Sequence, residues 1–376
     1  MRRISVHWAV KTGDYSGNAL GYGTHSSMLK KYCAEIMDIK EDSKIALHLT
    51  PTEKFFYIKG KFNILFTMWE FLEIPNIYIA NFNRADAIIV PCHFCKELFR
   101  KYTNKPIYVC KEGIVPEDYP YYERTSMPKK FRFLWSGAPN QRKGYPFVLQ
   151  AIKAFEDLEN VEIYIKTTSK RLEADLIRKN AEEIVNDDYR EKRLKAADRI
   201  LETIPKIEQY ADALNVMGKH NNVFFDTRKL PINELRDLYN SAHCFLLPTF
   251  GEGWGLTLCE AMATGCPSIA TPVTGVKDFF DDDVGFGIKY SQKELDIRDT
   301  YGIKTLSFIP DTGDFLGKML LVMNNYGEAL RRGKKASERI HKKFTWALSA
   351  QRLKEIIEEI EDKYVNNTGK LEAVSR

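Results

Sequence analysis

Phe250-Gly-Glu-Gly-Trp-Gly-Leu-Thr-Leu-Cys-Glu-Ala-Met-Ala-Thr-Gly265 is the stretch on which the fold turns. It follows Cys244–Pro248, whose Phe245-Leu246-Leu247 core is apolar enough for a buried strand. A glycine-rich turn comes next, then a helix expected from Gly255 to Thr264. Strand, tight turn and helix in that order put the turn beyond the carboxyl end of a strand, where open parallel sheets bind ligands. Gly251, Gly253 and Gly255 let the backbone approach a ligand closely. The first free N–H groups of the helix, with its dipole, favour an anion such as a pyrophosphate. Glu252 and Glu260 bracket that start. Eight helical steps span roughly 12 Å, beyond the roughly 5–9.5 Å of a glycosidase carboxylate pair. The spacing suits a ligand with a sugar at one end, a ribose at the other and phosphates between. Two solvated acids at a helix start would be the plainer account, and it fits one glutamate. It does not cover three glycines, two glutamates and the strand-turn-helix setting together.

Upstream, Gly137-Ala-Pro-Asn-Gln-Arg-Lys-Gly144 repeats the arrangement, after an expected strand (Phe131–Gly137) and before a helix marked by Val148, Ile152, Phe155 and Leu158. Arg142 and Lys143 would sit at the carboxyl edge of the same sheet, where their charge can neutralise a departing diphosphate. Alone, the segment reads as a solvated basic loop. Beside the Glu252 turn, the functional reading is the better one.

Further outward, short apolar runs alternate with helical stripes. The first half carries expected strands at Ile4–Val10, Ile45–Leu49, Asn63–Met68, Ala87–Val90 and Ile107–Cys110, with a helical face of Leu29, Tyr32, Cys33 and Ile36. The polar stretch Glu123–Lys130 interrupts the alternation and is the expected linker. The second half adds strands at Val161–Ile165, Val223–Asp226 and Cys266–Ala270, and a charged helical excursion over 170–219. Trp346, Ala350, Leu353, Ile357 and Ile360 form one stripe of a last helix. Such alternation means parallel sheets covered by helices on both faces.

With 376 residues, 44% apolar and 28% charged, the chain has material for two domains and a soluble surface. A net charge of +5 permits anionic partners without requiring them. Seven scattered cysteines read as reduced thiols, which, with no secretory signal and no apolar span of bilayer length, points to a cytoplasmic protein whose membrane contact, if any, is peripheral. Cys92-His-Phe-Cys95 lacks a second pair at zinc-ligand spacing and is expected only to open a helix. Asp281-Asp282-Asp283 is expected to be a solvated turn, and no metal or other cofactor is expected.

From Phe131 to Phe280 the joint pattern resembles the donor domain of family-four retaining glycosyltransferases of the GT-B superfamily. Lys143-Gly144, the Glu252-x7-Glu260 spacing, Ala261-Met262-Ala263-x-Gly265-x-Pro267 and Thr271-Pro-Val-Thr274-Gly275 carry the likeness. It implies two doubly wound, Rossmann-like α/β domains facing across a cleft: an acceptor-side domain over 1–125, a nucleotide-sugar domain over 130–340, and a final helix, 345–365, packing back on the first. It implies that Glu252 meets the donor sugar and Glu260 the ribose hydroxyls, that Gly253 to Leu256 offer amides, and that Arg142 and Lys143 hold the diphosphate. Thr274 would meet the nucleotide. Many relatives carry an arginine where this chain has Ala138, so which basic residue replaces it stays open. In the first half, Gly17, Gly21 and Gly23 form a glycine loop of the kind that lies over the donor phosphates, although a plain strand-helix turn accounts for them equally well. Glu70 and Trp69 match a Trp-Glu or His-Glu position near the cleft, with Trp69 and His25 on the acceptor side; the competing account is a buried tryptophan and a structural histidine. The resemblance implies retaining transfer of a sugar from a nucleotide-diphosphate sugar to a hydroxyl of a glycan, lipid, protein or modified nucleic acid. The alternatives are a nucleotide-sugar-binding scaffold without activity, or another enzyme of the superfamily such as a sugar-nucleotide epimerase.

Overall fold

The computed structural model describes residues 4–9, 20–125, 127–167, 222–297 and 302–365, with residues 191 and 195. The expected helical excursion over 170–219 otherwise lies outside the described residues, as does Gly17.

Two six-stranded parallel sheets form the frame. The first is built from β1 (Ser5–Trp8), β2 (Asp38–Ile39), β3 (Ile45–Leu49), β4 (Phe62–Phe66), β5 (Ala87–Val90) and β6 (Ile107–Val109), in the order β2-β1-β3-β4-β5-β6. Every residue of β3 and β5 is buried, as expected of central parallel strands covered on both faces. Helices α1 (Leu20–Ile36), α2 (Asn76–Arg84) and α3 (His93–Phe99) flank it. Gly21 and Gly23 therefore lie in the first turn of α1, not in a loop as the sequence suggested. Glycine costs only about 1 kcal/mol relative to alanine in a helix, so the packing of Leu29, Cys33 and Met37 into the core overrides it.

The second sheet contains β7 (Phe131–Ser136), β8 (Val161–Lys166), β9 (Val223–Asp226), β10 (Cys244–Leu247), β11 (Ser268–Ala270) and β12 (Phe286–Gly287). Its order is β12-β11-β10-β7-β8-β9. Counted from β7, the chain winds outward to one side and then returns to wind outward on the other. The direction changes between β7 and β10, and ligands of such sheets bind in the crevice at that switch. The loops leaving these two strands are residues 137–144 and 248–255. Helices α4 (Tyr145–Ala154), α5 (Ile232–Ser241) and α6 (Leu256–Ala263) connect the strands, and α7 (Thr312–Asn324) and α8 (Tyr326–Lys343) complete the cover.

An antiparallel hairpin of β13 (Tyr290–Asp296) and β14 (Lys304–Pro310) leaves the second sheet and reaches the first domain. There Leu306 N donates to Glu73 Oε2 at 2.7 Å, Glu73 N donates to Thr305 Oγ1 at 3.2 Å, and Leu72 N donates to Leu306 O at 3.3 Å. The last helix, α9 (Trp346–Ile360), begins with Thr345 capping Leu348 N. It buries Trp346, Ala350, Leu353, Ile357 and Ile360 in the core of the first sheet, beside α1. The chain thus crosses between the domains twice. The crossings run side by side, with Ile114 bridged to Thr345 and Gly113 so close that a Cβ there would strike the Thr345 backbone.

Candidate functional site

The two loops at the switch meet. Lys143 Nζ lies 2.7 Å from Glu252 Oε2, and Arg142 Nη1 lies 3.3 Å from the same oxygen. Arg142 Nη1 also donates to Gly251 O at 2.8 Å. The main chain locks the loops together, Phe250 N donating to Arg142 O at 2.8 Å, and within the first loop Lys143 N donates to Asn140 Oδ1 at 3.0 Å. Gly144 is needed where it stands. Its φ is +74°, and a Cβ would land on the Pro248 carbonyl.

Glu252 is buried. Burial alone would raise its carboxyl; the charges of Lys143 and Arg142, with hydrogen bonds from Lys143 and Thr249, outweigh that and hold it below the usual carboxylate range. Thr274 grips its backbone, with Oγ1 accepting from Glu252 N at 2.8 Å and donating to Glu252 O at 2.9 Å. Thr274 does so at φ +48°, alone among the described non-glycine residues in taking a positive φ. For a β-branched residue this stores about 1–3 kcal/mol of strain, held in place by the paired hydrogen bonds.

Glu260 sits apart from that cluster. Tyr239 OH donates to its Oε2 at 2.8 Å, and Tyr119 also hydrogen-bonds to it. Burial pushes its carboxyl up to about 7 despite those bonds, and nearby Asp118 adds to the rise. Gly253, Trp254, Gly255 and Leu256 form the entry to α6. Gly255 at φ +114° turns the chain into the helix, and Trp254 buries its ring against Phe279 and Phe344.

From the first domain, the segment after β4 comes against this loop. A Cβ on Gly251 would meet the Glu70 carbonyl, and one on Gly253 would meet the Met68 side chain. These two glycines therefore permit domain contact, a role the sequence had not suggested. Glu70 Oε1 reaches to 3.6 Å from Arg142 Nη1 and joins the cluster across the cleft. Tyr22, beside Gly21 and Gly23, accepts from Met68 N at 3.1 Å and ties the start of α1 to the same segment. The other two first-domain candidates lie inside the core. Trp69 is buried, its Nε1 donating to Glu73 O at 2.7 Å. His25 is packed between Phe66 and Trp346, with Nδ1 3.2 Å from Glu112 Oε1. Neither side chain has a surface to offer an acceptor, because the apolar core encloses both rings.

Thr249, Tyr119, Tyr239 and Tyr22 hold the site and were not singled out in the sequence. A threonine or tyrosine alone in an apolar segment has no local signature, and only the packing brings it to a glutamate. Cys92 and Cys95 are buried free thiols, with Cys92 at the N-cap of α3. Asp281, Asp282 and Asp283 are exposed in a turn, where Asp281 pairs with Arg339 at 2.7 Å. Among the described residues, no helix is long and apolar enough to cross a membrane.

Comparison with known proteins agrees with this geometry. Residues 130–295 match the family model "Glycosyl transferases group 1". Sucrose synthase 4 of Oryza sativa subsp. japonica is 27% identical over 164 residues, 43% of this chain and 18% of that protein, so the chain spans under a fifth of this relative's length. The solved structure of Anabaena HepE in complex with UDP and glucose superposes with a TM-score of 0.61 at 10% identity, covering 95% of this chain and 100% of HepE. A sucrose-phosphate synthase from Thermosynechococcus elongatus gives 0.58 at 14% identity, covering 94% and 82%. A glycosyltransferase from Rickettsia africae gives 0.60 at 12%, covering 96% and 100%. Identities this low speak to fold, and the family match speaks to the second domain. The chain has the GT-B fold, and its residues 130–295 are similar to the group 1 glycosyl transferases.

Proposed function

We propose that the chain transfers a glycosyl group from a nucleotide-diphosphate sugar to an acceptor hydroxyl, with retention of anomeric configuration. The observation that carries this reading is the pair of cations, Arg142 and Lys143, converging on one buried carboxylate at the switch between β7 and β10. In that arrangement the diphosphate lies at the start of α6 and takes hydrogen bonds and charge from Arg142, Lys143 and the loop amides. Glu252 then turns toward the donor sugar, and Glu260 toward the ribose. A carboxyl whose proton is held up to about 7 can donate to a hydroxyl oxygen as well as accept from one.

The transition state has oxocarbenium character and a departing diphosphate. Its main stabilisation is the developing negative charge on that leaving group, met by cations already in position. No side chain in the cluster is placed as an obvious nucleophile. Retention is consistent with the acceptor attacking from the face the leaving group vacates, the departing phosphate taking the proton. The reading uses no metal ion. A uridine nucleotide is the first donor to try, because HepE is described with UDP bound. The acceptor-side role falls to the first domain, with Glu70 as its contribution at the cleft.

The test is hydrolysis and transfer from UDP-, GDP- and ADP-sugars by the wild-type chain and by Lys143→Ala and Glu252→Ala. Slow turnover of at least one donor, suppressed by both substitutions, is expected. Tight donor binding with no turnover, with or without candidate acceptors, would favour a binding scaffold. The anomer of the first-formed product, read by NMR, decides retention.

A further inference from the structure

We propose that the chain has a second anion site, separate from the donor cleft, which takes a phosphorylated small molecule. It is the open pocket of about 400 Å³ lined by α3, the end of β6 and the segment just after it, the last residue of α8 and the first turns of α9. Five basic side chains line it: His93, Lys96, Lys111, Lys343 and Arg352. They come from four different elements, so they are not the charged face of one solvated helix. The one carboxylate in the lining, Glu112, is buried and engaged with His25 at 3.2 Å.

Crowding like charges around a concavity is unfavourable unless something balances them. Part of the balance is visible. Asp278, from the second domain, lies 2.7 Å from His93 Nδ1 and 3.2 Å from Lys111 Nζ, and Glu355 lies 2.9 Å from Arg352 Nη1. The four lysine and arginine side chains, Lys96, Lys111, Lys343 and Arg352, still exceed these two acids. A dianionic phosphate supplies the remainder with several charge-assisted hydrogen bonds. The rest of the wall is Tyr108, Val109, Leu348 and Ser349, and the first three give apolar surface against which a carbon skeleton can lie. Sites of this size suit small molecules. None of these residues belongs to the Arg142-Lys143-Glu252 cluster, so the proposal stands independently of the donor reading.

The experiment titrates the full chain with inorganic phosphate and with a hexose monophosphate, followed by calorimetry and phosphorus NMR. Saturable binding of the hexose monophosphate is expected, tighter than that of phosphate and falling as salt is raised. The double variant Lys343→Ala/Arg352→Ala changes two exposed side chains and should weaken binding at least tenfold. Lys96→Gln, on another helix, should weaken it in the same direction and serves if the double variant is unstable. Lys143→Ala should leave binding unchanged. Absence of saturable binding for both probes, indifference to Lys343→Ala/Arg352→Ala and to Lys96→Gln, or loss in Lys143→Ala, which would place the ligand in the donor cleft, each overturns the proposal.

Discussion

Lys143 and Glu252 illustrate how a side chain's task depends on what it faces. Without a donor the two neutralise each other over 2.7 Å, and the pair stays affordable inside the protein because Arg142 and Thr249 share the load. With a diphosphate in place, the same lysine would serve the leaving group. Removal of one preorganised donor to a developing oxyanion commonly lowers turnover by about 10²–10³, and Lys143→Ala is expected to lower kcat by that order. Steady-state kinetics with a saturating donor checks this; a change confined to KM would mean that Lys143 only helps binding. Glu260 makes a different prediction. Its carboxyl is held up to about 7, above its ordinary 4.5, so the folded chain binds a proton there more tightly than the unfolded chain does. The stability this contributes is fully present below about 4.5 and is lost as pH rises through about 7. Urea titrations at pH 5 and pH 8 should show a smaller fall in stability for Glu260→Gln than for wild type. Equal falls would show that Glu260 does not titrate in this window. Both glutamates were readable in the sequence from their eight-residue spacing and the glycines beside them. Their partners Thr249, Tyr119 and Tyr239 were not, since each reaches its glutamate through packing rather than through a motif.

At the level of elements, α9 is the clearest case of periodicity leading to placement. Its apolar stripe is fully used: Leu353 and Ile357 are completely buried in the core they share with the first sheet. Truncating such a residue costs both transfer free energy and a cavity. Leu353→Ala should therefore lose about 2–5 kcal/mol of stability, measured by chemical denaturation, and a loss under 1 kcal/mol would mean the helix is not anchored there. The strands β3, β5 and β9 lie where apolar runs put them. The hairpin β13–β14 escaped notice because Tyr290-Ser-Gln-Lys-Glu-Leu-Asp296 is mostly exposed and polar, with no buried face to impose alternation. The start of α1 was misread for the opposite reason. Glycines at 21 and 23 suggest a loop by propensity, but the apolar face further along the helix carries them with it.

Across the whole molecule, two of the connections between the domains differ in kind. The double crossing at Ile114 and Thr345 is covalent and short, whereas the hairpin contact consists of hydrogen bonds through Glu73, Thr305 and Leu306 and one edge-on ring contact between Phe94 and Phe308. The hairpin is therefore expected to be the part that releases. Glu73→Ala should raise amide exchange over residues 70–73 and 304–309 while leaving exchange in β7 and β10 unchanged; uniform protection in the variant would show that the hairpin is not held by this contact. Gly251 and Gly253 bear on the same interface. Their close approach to Glu70 and Met68 means that a side chain at either position pushes the domains apart.

Order and spacing along the chain determined that parallel strands would alternate with helices, that two basic residues and Glu252 would lie in loops at strand ends, and that the last helix would bury one face. Such properties follow from local chemistry, because periodicity and glycine placement are written into neighbouring residues. Tertiary structure alone decided that the two loops lie at the switch between β7 and β10, that Glu70 reaches Arg142 across the cleft, and that Trp69 and His25 are enclosed. Those outcomes depend on residues more than a hundred positions apart, or on opposite domains, whose meeting is set by strand order and by the packing of one domain on the other.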